Sequence, residues 1–263
     1  MKRTGLSALL LAVMAVIPAS AEQWSKTYNI SGSPDLRVET SDANIQVDTW
    51  DQKAIEATIT STHYKIGPGG LQLGEHQTGD TVEINLRFPH HFQIMNVTNH
   101  RVDIAIHMPR KGRVNLHTGD GNIELSRFSG EMELSSGDGN EEIHAIEGRL
   151  RARTGDGNIR ADGRFDALNL RSGDGRIEVR AATGSNLAEG WEVRTGDGSV
   201  SVEVPENLTA DLHLHTGDGR IEVNVPMTTE GSFKENDVRG KLNGGGNLLL
   251  IDTGDGSISL GKA

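Results

Sequence analysis

The sequence predicts an all-β protein, a single-chain β-solenoid of coils about 18 residues long with a less regular, strand-rich N-terminal part. Three observations carry this. The tetrapeptide Thr/Ser-Gly-Asp-Gly begins at Thr118, Ser136, Thr154, Ser172, Thr195, Thr216 and Thr253, and the first four copies are 18 residues apart. Apolar or small residues stand four and two places before each Thr/Ser, as in Val114 and Leu116. In most copies they return five and seven places after it, as in Ile123 and Leu125. Alternation with period two on both sides of a turn means two short strands per unit, each with one buried face. Third, no stretch carries a helical period of comparable strength.

The chain begins Met1-Lys2-Arg3, continues with an apolar run from Leu6 to Ile17, and reaches Pro18-Ala19-Ser20-Ala21. A basic start, a short apolar stretch and a small-residue site read as a secretory signal peptide over residues 1–21. The apolar run is too short to span a bilayer, and no later segment reaches the ~20 apolar residues that a spanning helix needs. The mature chain is expected to start at Glu22. No cysteine stands at the cleavage site, which argues against a lipid-anchored form.

Residues 22–263 read as one β-solenoid domain. Its irregular part covers 22–112 and its Thr/Ser-Gly-Asp-Gly repeats cover 113–263. A degenerate copy lies upstream, where Leu36, Val38 and Thr40 precede Ser41-Asp42-Ala43-Asn44, and Ile45 and Val47 follow. Between Asp48 and Gly112 the alternating runs lengthen, which predicts a strand-rich insertion continuous with the solenoid. The later repeat gaps are 23, 21 and 37 residues, the last close to two periods. One apolar slot is broken, by Glu141 beside Ile143.

Asp-Gly between alternating runs is also a strong hairpin signal. A flat meander of hairpins would leave its apolar face uncovered, because the sequence offers no helix to cover it. In a solenoid the two strands of each unit face each other across a narrow core, and like residues stack coil on coil. The solenoid is therefore the preferred geometry.

Within the motif, the two glycines are expected to supply backbone angles that other residues avoid. The Thr/Ser shares the parity of the buried residues, so its hydroxyl should point inward and find a turn backbone group. That disfavours an exposed threonine array of the ice-binding kind. Asp120, Asp138, Asp156, Asp174, Asp197, Asp218 and Asp255 should form a row with neighbours ~4.8 Å apart. Like charges at that separation repel by ~1 kcal/mol in water. Hydrogen bonds from each turn's own N–H groups would offset this, and a row of calcium ions would do so too. Known calcium repeats run Gly-Gly-x-Gly-x-Asp, whereas here the aspartate lies between glycines, so the structural reading is preferred and no cofactor is expected.

Removing Lys2 and Arg3 from the 26 basic residues leaves 24 against 37 acidic ones, a net charge of −13. Such a chain is a poor partner for nucleic acid, which needs a positive field. Arg151, Arg153, Arg171 and Arg194 nevertheless gather before the central turns, with His117, His213 and His215 nearby. They are a candidate binding face for an acidic polysaccharide or lipid headgroup, although cross-strand ion pairing explains the same residues. Catalytic signals are thin. His90, His91, His100 and His107 lack metal-ligand spacing, no Gly-x-Ser-x-Gly elbow exists, and the Gly-Asp-Gly turns lack the Lys-Ser/Thr of a phosphate loop. Two segments, Ser61–Gly79 and Pro226–Asn247, interrupt the regularity and are expected as long loops, common places for binding residues.

The Leu-x-Leu-x-Thr-Gly-Asp-Gly-x-Ile-x-Val unit, closing with Asn243-Gly244-Gly245-Gly246 and Thr253-Gly254-Asp255-Gly256-Ser257-Ile258, resembles the bacterial adhesin-like repeat family. That family is a domain of unknown function in exported cell-envelope proteins. The resemblance runs from about Leu36 to Leu260. It implies a β-solenoid and an envelope location, periplasmic or at the cell surface, and supplies no catalytic residues. The expected function is a non-enzymatic adhesin-like binding or scaffold protein, with a glycan or an envelope or host protein as partner. A periplasmic structural or envelope-stress protein acting through a protein partner is the alternative. A β-helical polysaccharide-processing enzyme is a third class.

Overall fold

The computed structural model describes residues 21–89, 101–229 and 235–263. The described residues are all-β. The N-terminal part holds β1 (Glu22–Asn29), β2 (Asp35–Thr40), β3 (Asn44–Trp50), β4 (Ala54–Ser61), β5 (Gln72–Thr78), β6 (Thr81–Arg87) and β7 (Val102–Pro109). The regular coils follow as β8 (Lys111–Thr118), β9 (Ile123–Ser126), β10 (Ser129–Ser136), β11 (Glu141–Thr154), β12 (Ile159–Ser172), β13 (Ile177–Ala181), β14 (Trp191–Thr195) and β15 (Val200–Val204). The C-terminal part comprises β16 (Ala210–Thr216), β17 (Ile221–Val223), β18 (Thr228–Thr229), β19 (Asp237–Leu242), β20 (Leu248–Thr253) and β21 (Ile258–Lys262).

The pairing is that of a solenoid and not of a meander. Strands before the turns pair in parallel and build one face, in the order β5-β6-β2-β8-β10-β11-β12-β14-β20-β16-β19-β18. Strands after the turns build the second face, in the order β1-β4-β7-β3-β9-β11-β12-β13-β15-β21-β17. The 14-residue strands β11 and β12 take part in both faces because they run on around the corner opposite the motif turn. Register keeps like residues together: Thr40 pairs with Thr118, and Leu116 with Leu134. Val114, Leu116, Ile123 and Leu125 and their equivalents are buried between the faces. Burial of such a side chain is worth about 1.5–3 kcal/mol, and its repetition coil after coil stands in for disulfides.

Coil order in space departs from coil order in the chain at both ends. The β2/β3 coil lies between the β6/β7 coil and the β8/β9 coil. The β20/β21 coil, carrying Thr253, is intercalated between the Thr195 coil and the Thr216 coil. This accounts for the 37-residue gap, because the chain after β17 adds β18 and β19 at the end of the first face before β20 inserts one rung earlier. Antiparallel strands close the ends: β5 on the first face, β4 and β1 on the second, and β19 with β18 at the far end of the first. The segments Ser61–Gly79 and Pro226–Asn247 are therefore not simply long loops, since they contain β5, β18 and β19. At the N-terminal end Glu75 of β5 accepts from Lys26 at 2.5 Å and from Tyr28 at 3.0 Å, tying the two faces together.

The two corners use different chemistry. At the motif turn, a Cβ on Gly139, Gly157 or Gly175 would overlap the carbonyl oxygen of the glycine one coil earlier. None of these glycines has a positive φ. Their requirement is close approach of stacked backbones, and the expectation of special angles is corrected. Left-handed backbone appears at the other corner instead, at Arg127 (φ 58°), Ala145 (φ 52°) and Gly163 (φ 150°), spaced by one period.

Candidate binding face

The Thr/Ser hydroxyls form a continuous relay through the solenoid. Ser136 Oγ donates to the carbonyl of Gly121 at 2.9 Å and accepts from the N–H of its own Gly139 at 2.9 Å. Thr118 donates to Ala43, Thr154 to Gly139, Ser172 to Gly157 and Thr195 to Gly175, each at 2.9 Å. Thr253 donates to Gly198 at 2.8 Å and Thr216 to Gly256 at 2.7 Å. Burial of these hydroxyls is tolerable only because each is both donor and acceptor, or at least donor, to turn backbone.

A second ladder, of asparagines, runs beside the hydroxyls. Asn44 accepts from the N–H of Asn122, Asn122 from Asn140, Asn140 from Asn158 and Asn158 from Arg176, at 2.8–3.0 Å. Its signal is the Asn that follows Gly-Asp-Gly at 122, 140 and 158.

The seven turn aspartates are all exposed. Among the described residues no backbone N–H donates to any of them, so the expected offset by turn N–H groups is corrected. Where the row reaches Asp42, burial, reinforced by the neighbouring Asp120, holds the Asp42 carboxyl above its ordinary range. No group of three or more His, Cys, Asp or Glu among the described residues converges as a metal site.

Of the histidines, His107 stacks on Trp50, with ring centroids 5.5 Å apart. His213 and His215 lie 3.7 and 3.8 Å from Asp237 on β19. His90, His91 and His100 lie outside the described residues.

The four arginines do converge. Arg153 pairs in register with Arg171, and Arg171 with Arg194, all pointing outward from the first face, with Arg151 one row away. Arg171 and Arg194 share Glu192, at 2.8 and 2.9 Å. Arg151 meets Glu133 at 3.8 Å. Beside them an open trough of about 720 Å³ crosses the outer surface of this face, from Asp35 and Arg37 on β2 to Leu248 and Leu250 on β20. It exists because Ala167 of β12 and Gly190, just before β14, put no long side chain into it. Leu248, 46% exposed, is the only large hydrophobic exposed among the described residues.

Residues 34–261 match the Toastrack DUF4097 family. The chain belongs to that family. Solved structures similar to this Toastrack chain include a protein from Clostridium sporogenes named for cell adhesion, with 14% identity over 92% of this chain and 100% of that one, at a TM-score of 0.46. A protein from Bacteroides fragilis named as an adhesin shares 12% identity over 91% and 97%, with a TM-score of 0.44. One from Parabacteroides distasonis, named for lipid binding, shares 17% over 90% and 96%, with a TM-score of 0.43. No curated protein matches the chain. No helix among the described residues of this Toastrack protein is long and apolar enough to cross a membrane.

Proposed function

We propose that this protein is a non-enzymatic, adhesin-like binding scaffold of the bacterial cell envelope, and that it engages its partner through the outer surface of the first face. The observation that carries this is the trough across consecutive parallel strands, from β2 to β20. A surface held by a ladder of backbone and hydroxyl hydrogen bonds is pre-organised, so little ordering cost attends binding. Its lining sets Arg, Glu, Asp and Asn side chains along the strands, with apolar patches such as Leu248 and Leu250 among them. The charged groups suit a hydroxyl-rich or charged ligand, and the apolar patches suit the carbon faces of sugar rings. Export is supported by the basic, apolar and small-residue segments at the N-terminus.

Protease shaving of intact cells carrying a tagged chain tests the reading, with a known periplasmic protein as the lysis control. Cleavage while the control survives places the solenoid at the surface. Protection confines it to the periplasm and removes adhesion in its simple form.

A further inference from the structure

We infer that the row Arg153, Arg171 and Arg194, with the adjoining trough, binds a linear acidic polysaccharide lying along the solenoid axis. This rests on the first face being the binding surface. The outward side chains of three consecutive strands here are Arg149, Arg151, Arg153, Ala167, Asn169, Arg171, Glu192 and Arg194. Within this stretch five arginines thus stand beside one carboxylate, Glu192, with Asp252 of β20 in register beyond Arg194, in a chain whose net charge is −11. Arg149 is taken by Glu189 of the preceding loop at 2.6 Å, and Arg151 by Glu133. The remaining three have only Glu192 among them, and Arg153 has no ion-pair partner among the described residues. The turn aspartates that follow on the same strands make no ion pair with them.

Parallel strands set neighbouring guanidiniums about 4.8 Å apart, where like charges repel. A polymer bearing one anionic group per sugar matches a row of this kind and relieves that repulsion through charge-assisted hydrogen bonds. Guanidinium forks favour carboxylate, sulfate or phosphate oxygens over a simple point charge. The trough supplies the second half of the recognition. Asn169 Nδ2 donates to Glu192 at 3.3 Å, while its Oδ1 is buried and accepts no hydrogen bond from any protein group. Asn169 lines the trough, and a turn of its amide away from Glu192 would offer this unsatisfied acceptor to a sugar hydroxyl. A lipid headgroup would engage one or two arginines and leave the row and the trough unused.

Affinity electrophoresis of the whole mature chain through gels containing polygalacturonate, dextran sulfate or neutral dextran tests this. Co-sedimentation with phosphatidylglycerol vesicles runs alongside. Retardation by an acidic polymer is expected, weakened about tenfold or more in R153A/R171A/R194A, since three charge-assisted contacts are lost. The three side chains are exposed, and an unchanged melting temperature in the triple variant confirms that it folds. Asn169→Ala should weaken retardation severalfold with the charge unchanged. Retardation by acidic polymers that survives the triple substitution overturns the inference. Binding to neutral dextran alone, or to vesicles alone, also overturns it and leaves the first face as a binding surface for another ligand. No retention on any polymer or vesicle counts against both.

Discussion

Glu141 occupies the same core slot as its register partner Ile159, one coil further along the solenoid. Ile123 fills that slot on the other side. The carboxyl is fully buried and has no conventional hydrogen-bond partner, lying loosely against the N–H groups of Ser136 and Arg153. Burial pushes its pKa up to about 8, well above the ordinary carboxylate value.

A pH signature is expected from that slot. The folded chain holds the Glu141 proton more tightly than the unfolded one, so the contribution is most favourable below pH 4.5 and declines as pH rises to about 8. Glu141→Ile should gain on the natural chain as pH rises through this window, by up to about 4 kcal/mol at the alkaline end. Urea unfolding of both proteins at pH 5 and pH 9 measures it. A gap that is the same at the two pH values would mean that Glu141 is not ionising in the core.

The hydroxyl relay predicts an asymmetry between two small changes. Thr154→Val leaves the Gly139 carbonyl and the Gly157 N–H without their partner, at a cost of about 1–3 kcal/mol. Thr154→Ser should be nearly neutral, because Ser136 and Ser172 perform the same task. Comparing denaturation midpoints of the two variants separates loss of the hydroxyl from loss of the methyl group.

Glycine and alanine should exchange roles at the two corners. Gly139→Ala drives a Cβ into the Gly121 carbonyl and should be among the most damaging single changes, since backbone and not a flexible side chain must move. Ala145→Gly relieves a left-handed alanine and should stabilise by about 1 kcal/mol. Thermal unfolding reads both, and opposite signs are the expected result.

The aspartate row gives a cation test. Calcium should leave the melting temperature unchanged, with the row offset by solvation and salt alone. A saturable rise on adding calcium, reversed by chelator, would show instead that the exposed carboxylates gather an ion.

The solenoid, its period and the inward-facing hydroxyls were all legible, because they follow from residue parity around a repeated glycine turn. The reason for the glycines was not, since sequence shows a requirement for no side chain without saying whether angle or approach imposes it. The left-handed corner left only a partial signal: Gly112, Gly130 and Gly148 recur with the 18-residue period, whereas Arg127, Ala145 and Gly163 share a spacing but not a residue type. The arginine row was visible as a count. Its shared carboxylate was not, because Glu192 reaches Arg171 only across the coil stack. Coil order was illegible for a deeper reason: units built on one template carry the same motif, so the repeat itself does not mark which neighbour each one takes.

That last point bears on how the chain can be made. Synthesis delivers residues 210–223 before residues 248–262, yet the later segment sits deeper in the stack. Until residues 248–262 are in place, the Thr195 rung presents an open edge to which the early Thr216 rung is matched in motif and register. A Thr216 rung that docks there must leave again before the Thr253 rung can take its seat. Completion of the fold is therefore a contest between two near-identical suitors, decided only after residues 248–262 have emerged.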